Sequence, residues 1–318
     1  MDTILWLIPS AFILDLFLGD PVYPFHPVRI IGNRIIVPIE RLLRFAKFDG
    51  RAGGFILLIF TLLISGGTVF TINYYLKEYS IAYYIFNLYL IYSCIAVKDL
   101  RVHVGKVMES LEQDNIEQAR EQLGAIVGRE TSQLEPEEIS RACVETLAEN
   151  LSDGIIAPLF YAFAGGAPLA VFYKAANTMD SMVGYKNEQY EKFGYFPAKF
   201  DDFMNWIPAR LSLILVMLAG KKYSQNWTGA WKIAANERHN HTSPNAAHPE
   251  AAMAGVLNLR LGGPNYYHGE RVEKPYINKH GNPVGPDNVR AAWNIAFSAS
   301  IIALAVFAAW RLLGCFFI

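Results

Sequence analysis

The chain has 318 residues, 53% of them hydrophobic and 18% charged, with a mean hydropathy of +0.19 and a formal net charge of -1. A soluble domain carries about a quarter charged residues, and here the deficit falls in blocks, as it does in a membrane protein. The near-neutral balance argues against a nucleic-acid binder, because no basic excess exists to neutralise phosphates.

The first apolar stretch runs from Thr3 to Gly19 and is interrupted only by Asp15. No Lys or Arg precedes it and no small-residue cleavage site follows, so it reads as a retained segment and not as a secretory signal. Gly53 to Leu76, Tyr79 to Val97 and Ala291 to Trp310 contain no charge, and each approaches or exceeds the roughly 20 residues a crossing helix needs. Gly154 to Tyr173 is also uncharged but holds Pro158, Gly165-Gly166 and Pro168. Leu211 to Gly220 is roughly 15 Å of helix, with Pro208 and Arg210 at its mouth. The expected fold class is mainly α: a polytopic helical membrane protein with about four full spans plus two Pro/Gly-broken apolar segments.

Residues 1–318 read as a single integral membrane domain. The first loop carries Arg29, Arg34, Arg41, Arg44, Lys47 and Arg51, so the bias of Lys and Arg places it in the cytoplasm. Residues 98–153 then form a cytoplasmic helical segment. Residues 174–290 form a cytoplasm-facing, motif-bearing region, on the expectation that both broken segments dip into the bilayer and return. Cys94, Cys143 and Cys315 form no CxxC pair and read as plain thiols.

Pro136 sits at a first helical position, with Glu137 and Glu138 in the first turn, where acids complement the helix dipole. Ile139, Ala142, Cys143, Thr146 and Leu147 recur at helical spacing as one buried stripe. The opposite face holds Glu138, Arg141, Glu145 and Glu149. Taken alone it reads as solvated, with Arg141–Glu145 as an i,i+4 pair. Residues 232–290, rich in Asn, Pro, Gly and His, suit structured loops better than long helices.

Polar motifs border the apolar segments. Glu149-Asn150-Leu151-Ser152-Asp153-Gly154 leads straight into one of them. Carboxylates and amides there suit Mg²⁺, which takes one or two carboxylates plus substrate phosphate oxygens. Lys174, Asn177, Thr178, Asp180 and Ser181 lie within a few helical turns of each other; Lys174 could place a point charge on a phosphate or simply snorkel to the interface. Asp201-Asp202 repel and invite a cation. Arg210, Arg238 and Asn245 complete the polar set. His239 and His241 lack further zinc ligands at usable spacing, and no Walker A, GxGxxG or GxSxG sequence occurs.

Asp15-x3-Gly19-Asp20-Pro21 with His26-Pro27-Val28-Arg29 and Gly32 resembles the opening of the adenosylcobinamide-phosphate synthase (CbiB/CobD) family of cobalamin biosynthesis. The resemblance continues in order through Glu149–Gly154, Ala157–Tyr161, Lys174–Tyr185, Phe193-Gly194, Asp201-Asp202, Asn205 and Pro208-Ala209-Arg210. It ends with Ser243-Pro244-Asn245, Glu250–Gly255 and Leu261-Gly262-Gly263. The run Asn236–His241 departs from the basic, Asp-containing pattern expected before Ser243. The resemblance implies a multi-pass enzyme of the cell (inner, cytoplasmic) membrane, an amide ligase that uses ATP and Mg²⁺. It would join adenosylcobyric acid to (R)-1-amino-2-propanol O-phosphate or to free aminopropanol.

Side-chain chemistry then suggests roles. Asp153, Asp180, Asp201 and Asp202 would share Mg²⁺ and nucleotide, and Lys174, Arg210 and Arg238 would hold phosphates. Asn150, Ser152, Asn177, Thr178, Ser181 and Asn245 would contact substrates, and Glu149 would take the proton of the attacking ammonium. The expected partners are the corrinoid and aminopropanol phosphate substrates, the lipid bilayer and other membrane enzymes of the pathway, with no nucleic acid. The competing class is a corrinoid transporter, since broken apolar segments beside polar motifs also build transport sites. A structural subunit using the amphipathic stretch Lys106 to Gly128 is a third.

Overall fold

The computed structural model describes residues 3–315 apart from 22, 186, 242, 268 and 269, without the side chains of Tyr267 and Cys315. The helices run in order as α1 (Ile4–Leu18), α2 (Pro27–Ile30), α3 (Val37–Phe45), α4 (Arg51–Leu76), α5 (Ser80–Tyr92), α6 (Val97–Glu112) and α7 (Ile116–Gly124). Then come α8 (Pro136–Leu151), α9 (Ala157–Val183), α10 (Tyr195–Met204), α11 (Trp206–Gly220), α12 (Trp227–Glu237), α13 (Ala247–Leu257) and α14 (Pro286–Cys315). Short strands β1 (Leu261–Gly262), β2 (Asn265–Tyr267), β3 (Glu270–Val272) and β4 (Tyr276–Ile277) precede α14.

Among the described residues, four helical stretches are long and apolar enough to cross a bilayer: Arg51–Leu76, Ser80–Glu112, Pro136–Val183 and Pro286–Gly314. The protein is thus a polytopic helical membrane protein with four candidate spans, one of which, Pro136–Val183, is broken at Gly165-Gly166. Helix α1 has 15 residues, about 22 Å at 1.5 Å per residue, short of a hydrocarbon core of about 30 Å. The stretch 154–173 instead lies inside a passing segment, although the chain breaks there at Gly165 and Gly166, whose φ/ψ values are not helical. Arg311 donates to the carbonyls of Phe163 and Ala164 at that break, at 3.4 and 3.5 Å, so backbone acceptors freed by the kink keep a partner. The segment around 205–220 is also broken, as expected: α10 and α11 are together long and apolar enough to cross but bend by 47° at their junction.

The chain separates into two compact units. The first comprises Met1–Ala96, Ala157–Trp206 and Val306–Ile318; the second comprises Val97–Ile156 and Ile207–Ala305.

In the first unit Phe12, Leu57, Phe163, Tyr173 and Phe193 are fully buried. Gly54 lets α4 approach the Phe193-Gly194 turn, since a Cβ there would lie 1.8 Å from the Phe193 carbonyl oxygen. The hairpin of α4 and α5 is held by a reciprocal amide pair, Asn73 and Asn87 donating to each other at 3.0 and 2.8 Å.

In the second unit α8 begins as its sequence predicts. Pro136 opens it, and the Glu138 carboxylate accepts from the Glu135 N–H at 3.0 Å within a capping box. Its predicted stripe of Ile139, Ala142, Cys143, Thr146 and Leu147 is buried. Residues 232–290 hold more helix than their composition suggests, because α13 is an Ala-rich helix. The Ser243 hydroxyl orders the turn that precedes it, accepting from the N–H groups of Asn245 and Ala246 at 3.3 and 3.2 Å. Gly255 allows close packing on α12, where a Cβ would sit 2.6 Å from the Ala230 carbonyl oxygen. Strands β1 and β4 pair antiparallel with Leu261 opposite Ile277, and β2 pairs with β3. Cys94 and Cys143 are buried free thiols; the Cys315 side chain lies outside the described residues.

Candidate functional site

The first unit gathers one carboxylate cluster. Asp201 in α10 is buried, accepting from Asn205 Nδ2 at 3.0 Å and from Asn177 Nδ2 at 3.4 Å. Asn205 in turn accepts from the Tyr173 hydroxyl at 2.9 Å, and the Tyr173 ring stacks on Tyr161 at 5.1 Å. Asp180 and Asp202 both lie close enough for their charges to act on Asp201. Asp202 is paired with Lys199 at 3.0 Å. The Asp180 carboxylate occupies the space left by Gly184, where a Cβ would lie 1.9 Å from Asp180 Oδ1. The motif glycine therefore exists to admit that carboxylate.

The same helix reaches a second cluster. Asp20 pairs with His26 Nε2 at 2.9 Å, and Lys174 and Arg29 lie near enough to act on it. Burial alone would raise the Asp20 pKa, but the His26 hydrogen bond and these charges outweigh it and hold the carboxyl below its usual range. Thr178 and Ser181 donate their hydroxyls back to the carbonyls of Lys174 and Asn177, at 2.7 and 2.9 Å. Their lone pairs, not their protons, are what remain for a ligand.

The second unit holds a polar cavity of about 250 Å³, lined by Arg129, Glu145, Thr146, Glu149, His241, Glu250, Gly262, Asn265 and Lys274 among others. The face of α8 read as solvated is in fact partly core. Arg141 is 6% exposed and Glu145 is 8% exposed. The reason is the loop 261–265, which folds over them. Glu145 accepts from the Gly262 N–H at 2.8 Å and from Arg129, which also donates to Asn265 Oδ1 at 2.7 Å. Gly262 and Gly263 make that turn at φ +69° and +85°, values that favour glycine. Converting Glu145 to Gln should remove the carboxylate charge that faces Arg129 and weaken a buried ion pair, a loss of up to about 3 kcal/mol. Thermal unfolding in detergent should show it as a clear fall in Tm.

A basic cluster forms in this unit too. Arg210, Arg238 and His239 lie around His248, near enough for their charges to act on it. His248 is pushed down to about 4, first by burial and then by Arg210, Arg238 and His239, so it is neutral near pH 7. Cations assembled against their mutual repulsion make the surroundings of His248 electropositive.

The predicted residues therefore divide between the units. Lys174, Asn177, Thr178, Asp180, Ser181, Asp201 and Asp202 belong to the first; Glu149, Asn150, Ser152, Asp153, Arg210, Arg238 and Asn245 belong to the second. Asp180, Asp201 and Asp202 come together, as do Arg210 and Arg238. Glu149 faces the cavity, Asn150 donates to the Thr146 carbonyl at 3.0 Å, and Asn245 is buried at the start of α13. Ser152 is 1% exposed, and its hydroxyl has no hydrogen-bond partner among the described residues. Sequence reasoning assigned no role to Arg129, His248 or Lys274, and gave His241 and Glu250 only general phosphate or substrate contacts within their polar blocks. Glu250 stood inside a quoted motif, but an acid in a first helical turn normally signals only the dipole. Nothing local marks Arg129 or Lys274.

Comparison with known proteins identifies the family. Residues 8–296 match the family profile described as CobD/Cbib protein. The chain is 46% identical over 298 residues to "Cobalamin biosynthesis protein CobD" of Clostridium perfringens (strain 13 / Type A), covering 93% of this chain and 94% of that one. It is 42% identical over 317 residues to the protein of that name from Listeria monocytogenes serotype 4b (strain F2365), covering 98% and 99%. A third, from Citrobacter koseri, is 41% identical over 316 residues, covering 98% of each. No solved structure matches the chain. The motifs and the match along nearly all of both chains make this protein a member of the CobD/CbiB family of cobalamin biosynthesis proteins.

Proposed function

We propose that this protein is an ATP-dependent amide ligase of the cell membrane. It joins a side-chain carboxylate of adenosylcobyric acid to (R)-1-amino-2-propanol O-phosphate, or to free aminopropanol, giving adenosylcobinamide phosphate or adenosylcobinamide. The observation that carries this reading is the convergence of Arg210 and Arg238 with His239 and His248, a place for phosphate in a chain whose family acts on a corrinoid pathway.

A carboxylate is a poor electrophile, so its oxygen first attacks a phosphorus of ATP, forming a mixed anhydride and expelling ADP or pyrophosphate. The amine nitrogen then attacks the acyl carbon. A C–N bond forms, the C–O bond to phosphate breaks, and the ammonium proton passes to a base, a role that falls to Glu149. Asp180, Asp201 and Asp202 fit a magnesium-bound nucleotide, since their crowded carboxylates repel one another until a cation relieves them. Among the described residues no trio of His, Cys, Asp or Glu is spaced as a metal cage, so phosphate oxygens and water would complete the sphere. When bound, Mg²⁺ would neutralise the polyphosphate. Asp153 would assist with the nucleotide, Lys174, Arg210 and Arg238 would hold phosphates, and Asn150, Asn177 and Ser181 would orient the reacting groups.

Reconstitution in liposomes separates this reading from transport. A ligase yields amide product with ATP and moves no corrinoid without it; flux without product is the opposite result. In this reading the stretch broken at Gly165-Gly166 dips into the bilayer and returns without crossing, as does the bent pair α10 and α11, so residues 98–153 and 174–290 face the cytoplasm. Glu188 is exposed, so in a Cys315→Ser background a Glu188→Cys protein should react with impermeant maleimide only from the cytoplasmic side. Labelling only from the outside would reverse that orientation.

A further inference from the structure

The cavity of the second unit is left unexplained by the roles above, apart from Glu149. Its walls carry opposite charges, with Glu149 and Glu250 among the acids and Arg129 and Lys274 among the cations. Glu145, the remaining acid, is already committed to Arg129 and the Gly262 N–H. Glu250 is different. It is 3% exposed, and among the described residues its one ion-pair contact is His241 Nε2 at 3.8 Å, beyond hydrogen-bonding reach. His241 Nδ1 accepts from the Ser243 N–H at 3.0 Å, which fixes the ring proton on Nε2. A buried carboxyl at a cavity wall without a hydrogen bond of its own is costly, and such groups are rare unless a ligand or water supplies one.

The cavity's size narrows the occupant. About 250 Å³ is room for about eight waters at ~30 Å³ each, and lies below the roughly 300–1,000 Å³ of pockets for drug-sized ligands. That is too little to enclose a whole corrinoid or nucleotide, and the opposed charges of the walls suit a small molecule with a primary ammonium at one end and an oxyanion at the other.

We infer that this cavity binds a small amino-phosphate, its ammonium against Glu250 and Glu149 and its phosphate against Lys274 and Arg129. The inference rests on the ligase reading only for naming that molecule as the amine substrate, aminopropanol phosphate. Specificity for the amine end then resides in Glu250, a residue at the start of α13.

A linked proton follows from the same geometry. In the empty cavity burial holds the Glu250 pKa well above normal. Repulsion from Glu145 and Glu149 adds to this, and Arg129 and Lys274 oppose it. His241 is held low, by burial first and then by Lys274, and stays neutral near pH 7. An arriving ammonium favours the Glu250 carboxylate and so expels its proton. Below the Glu250 pKa, affinity should rise by up to tenfold per pH unit.

The test uses the full-length protein in detergent, without ATP or corrinoid, titrated by calorimetry with aminopropanol phosphate and with propyl phosphate, which lacks the amine. Glu250→Gln should weaken aminopropanol phosphate at least tenfold and abolish the proton release seen when buffers of different ionisation enthalpy are compared. Propyl phosphate should bind this variant as it binds wild type, which also shows that the variant is folded. Lys274→Met should weaken both ligands. Equal affinity of wild type and Glu250→Gln for aminopropanol phosphate, or equal loss of both ligands, overturns the inference. So does the absence of binding by wild type. Failure of the ligase reading looks different: Glu250-dependent binding would persist with no corrinoid amide formed. Amide formation with an amine KM that Glu250→Gln leaves unchanged would instead remove the cavity and keep the ligase.

Discussion

Asp180→Ala is expected to lower ATP-dependent amide formation by about 10²–10³-fold, the scale of removing one preorganised electrostatic contact in an active site. Asp180 lies in α9, one turn before Gly184, and its carboxylate fills the place where a side chain at 184 would stand. It shares the site with Asp201 and Asp202. Removing one of three mutually repelling carboxylates should relieve strain in the folded protein, so stability is expected to hold or rise while activity collapses. Gly184→Ala gives an independent route to the same result. Its Cβ would lie 1.9 Å from Asp180 Oδ1 and 2.7 Å from the Asp180 carbonyl oxygen, so the carboxylate must move although no charge is lost. Both variants should need more Mg²⁺ for half-maximal rate. An Asp180→Ala protein with full ligation would remove the metal assignment.

Arg238→Met should raise the KM for the phosphate-bearing substrate by roughly 10–100-fold, following the ~1.5–3 kcal/mol of a hydrogen bond to a charged group. Turnover at saturation should change less. Comparing free aminopropanol with its phosphate ester identifies the substrate concerned. If ATP is held there, both amines suffer equally; if the amine's phosphate is held there, only the ester does. His248 supplies a second readout. Its pKa of about 4 reflects burial first, then Arg210, Arg238 and His239. Losing the Arg238 charge should therefore move it upward toward 6.5, visible by NMR of a histidine-labelled protein. A structural role for Arg238 alone would lower Tm without a selective change in KM.

Much of this was legible in the sequence because the relevant signals are local. Pro136 with Glu137 and Glu138 gives the start of α8 from capping chemistry. Uncharged runs give the long helices, and Gly165-Gly166 marks the break in α9. Arg210 and Arg238 were singled out by their charge and come together through the fold of the second unit. The burial of Arg141 and Glu145 was not legible. Their i,i+4 spacing is the same on a solvated face as beneath a loop, and only the distant Gly262 turn distinguishes the two. The cavity residues were hidden for the same reason. Arg129, His241, Glu250 and Lys274 lie far apart in sequence and meet only in the fold. In helix α1 the apolar composition extends no further than a 15-residue helix.

The central claim is an amide bond made at the expense of ATP by a membrane protein. The direct measurement is mass spectrometry of corrinoid and nucleotide after incubating the purified protein with adenosylcobyric acid, Mg-ATP and aminopropanol phosphate. One ATP should be consumed for each corrinoid amide formed, as ADP and phosphate or as AMP and pyrophosphate. Corrinoid recovered unchanged while wild-type protein remains folded and binds its substrates would contradict the account.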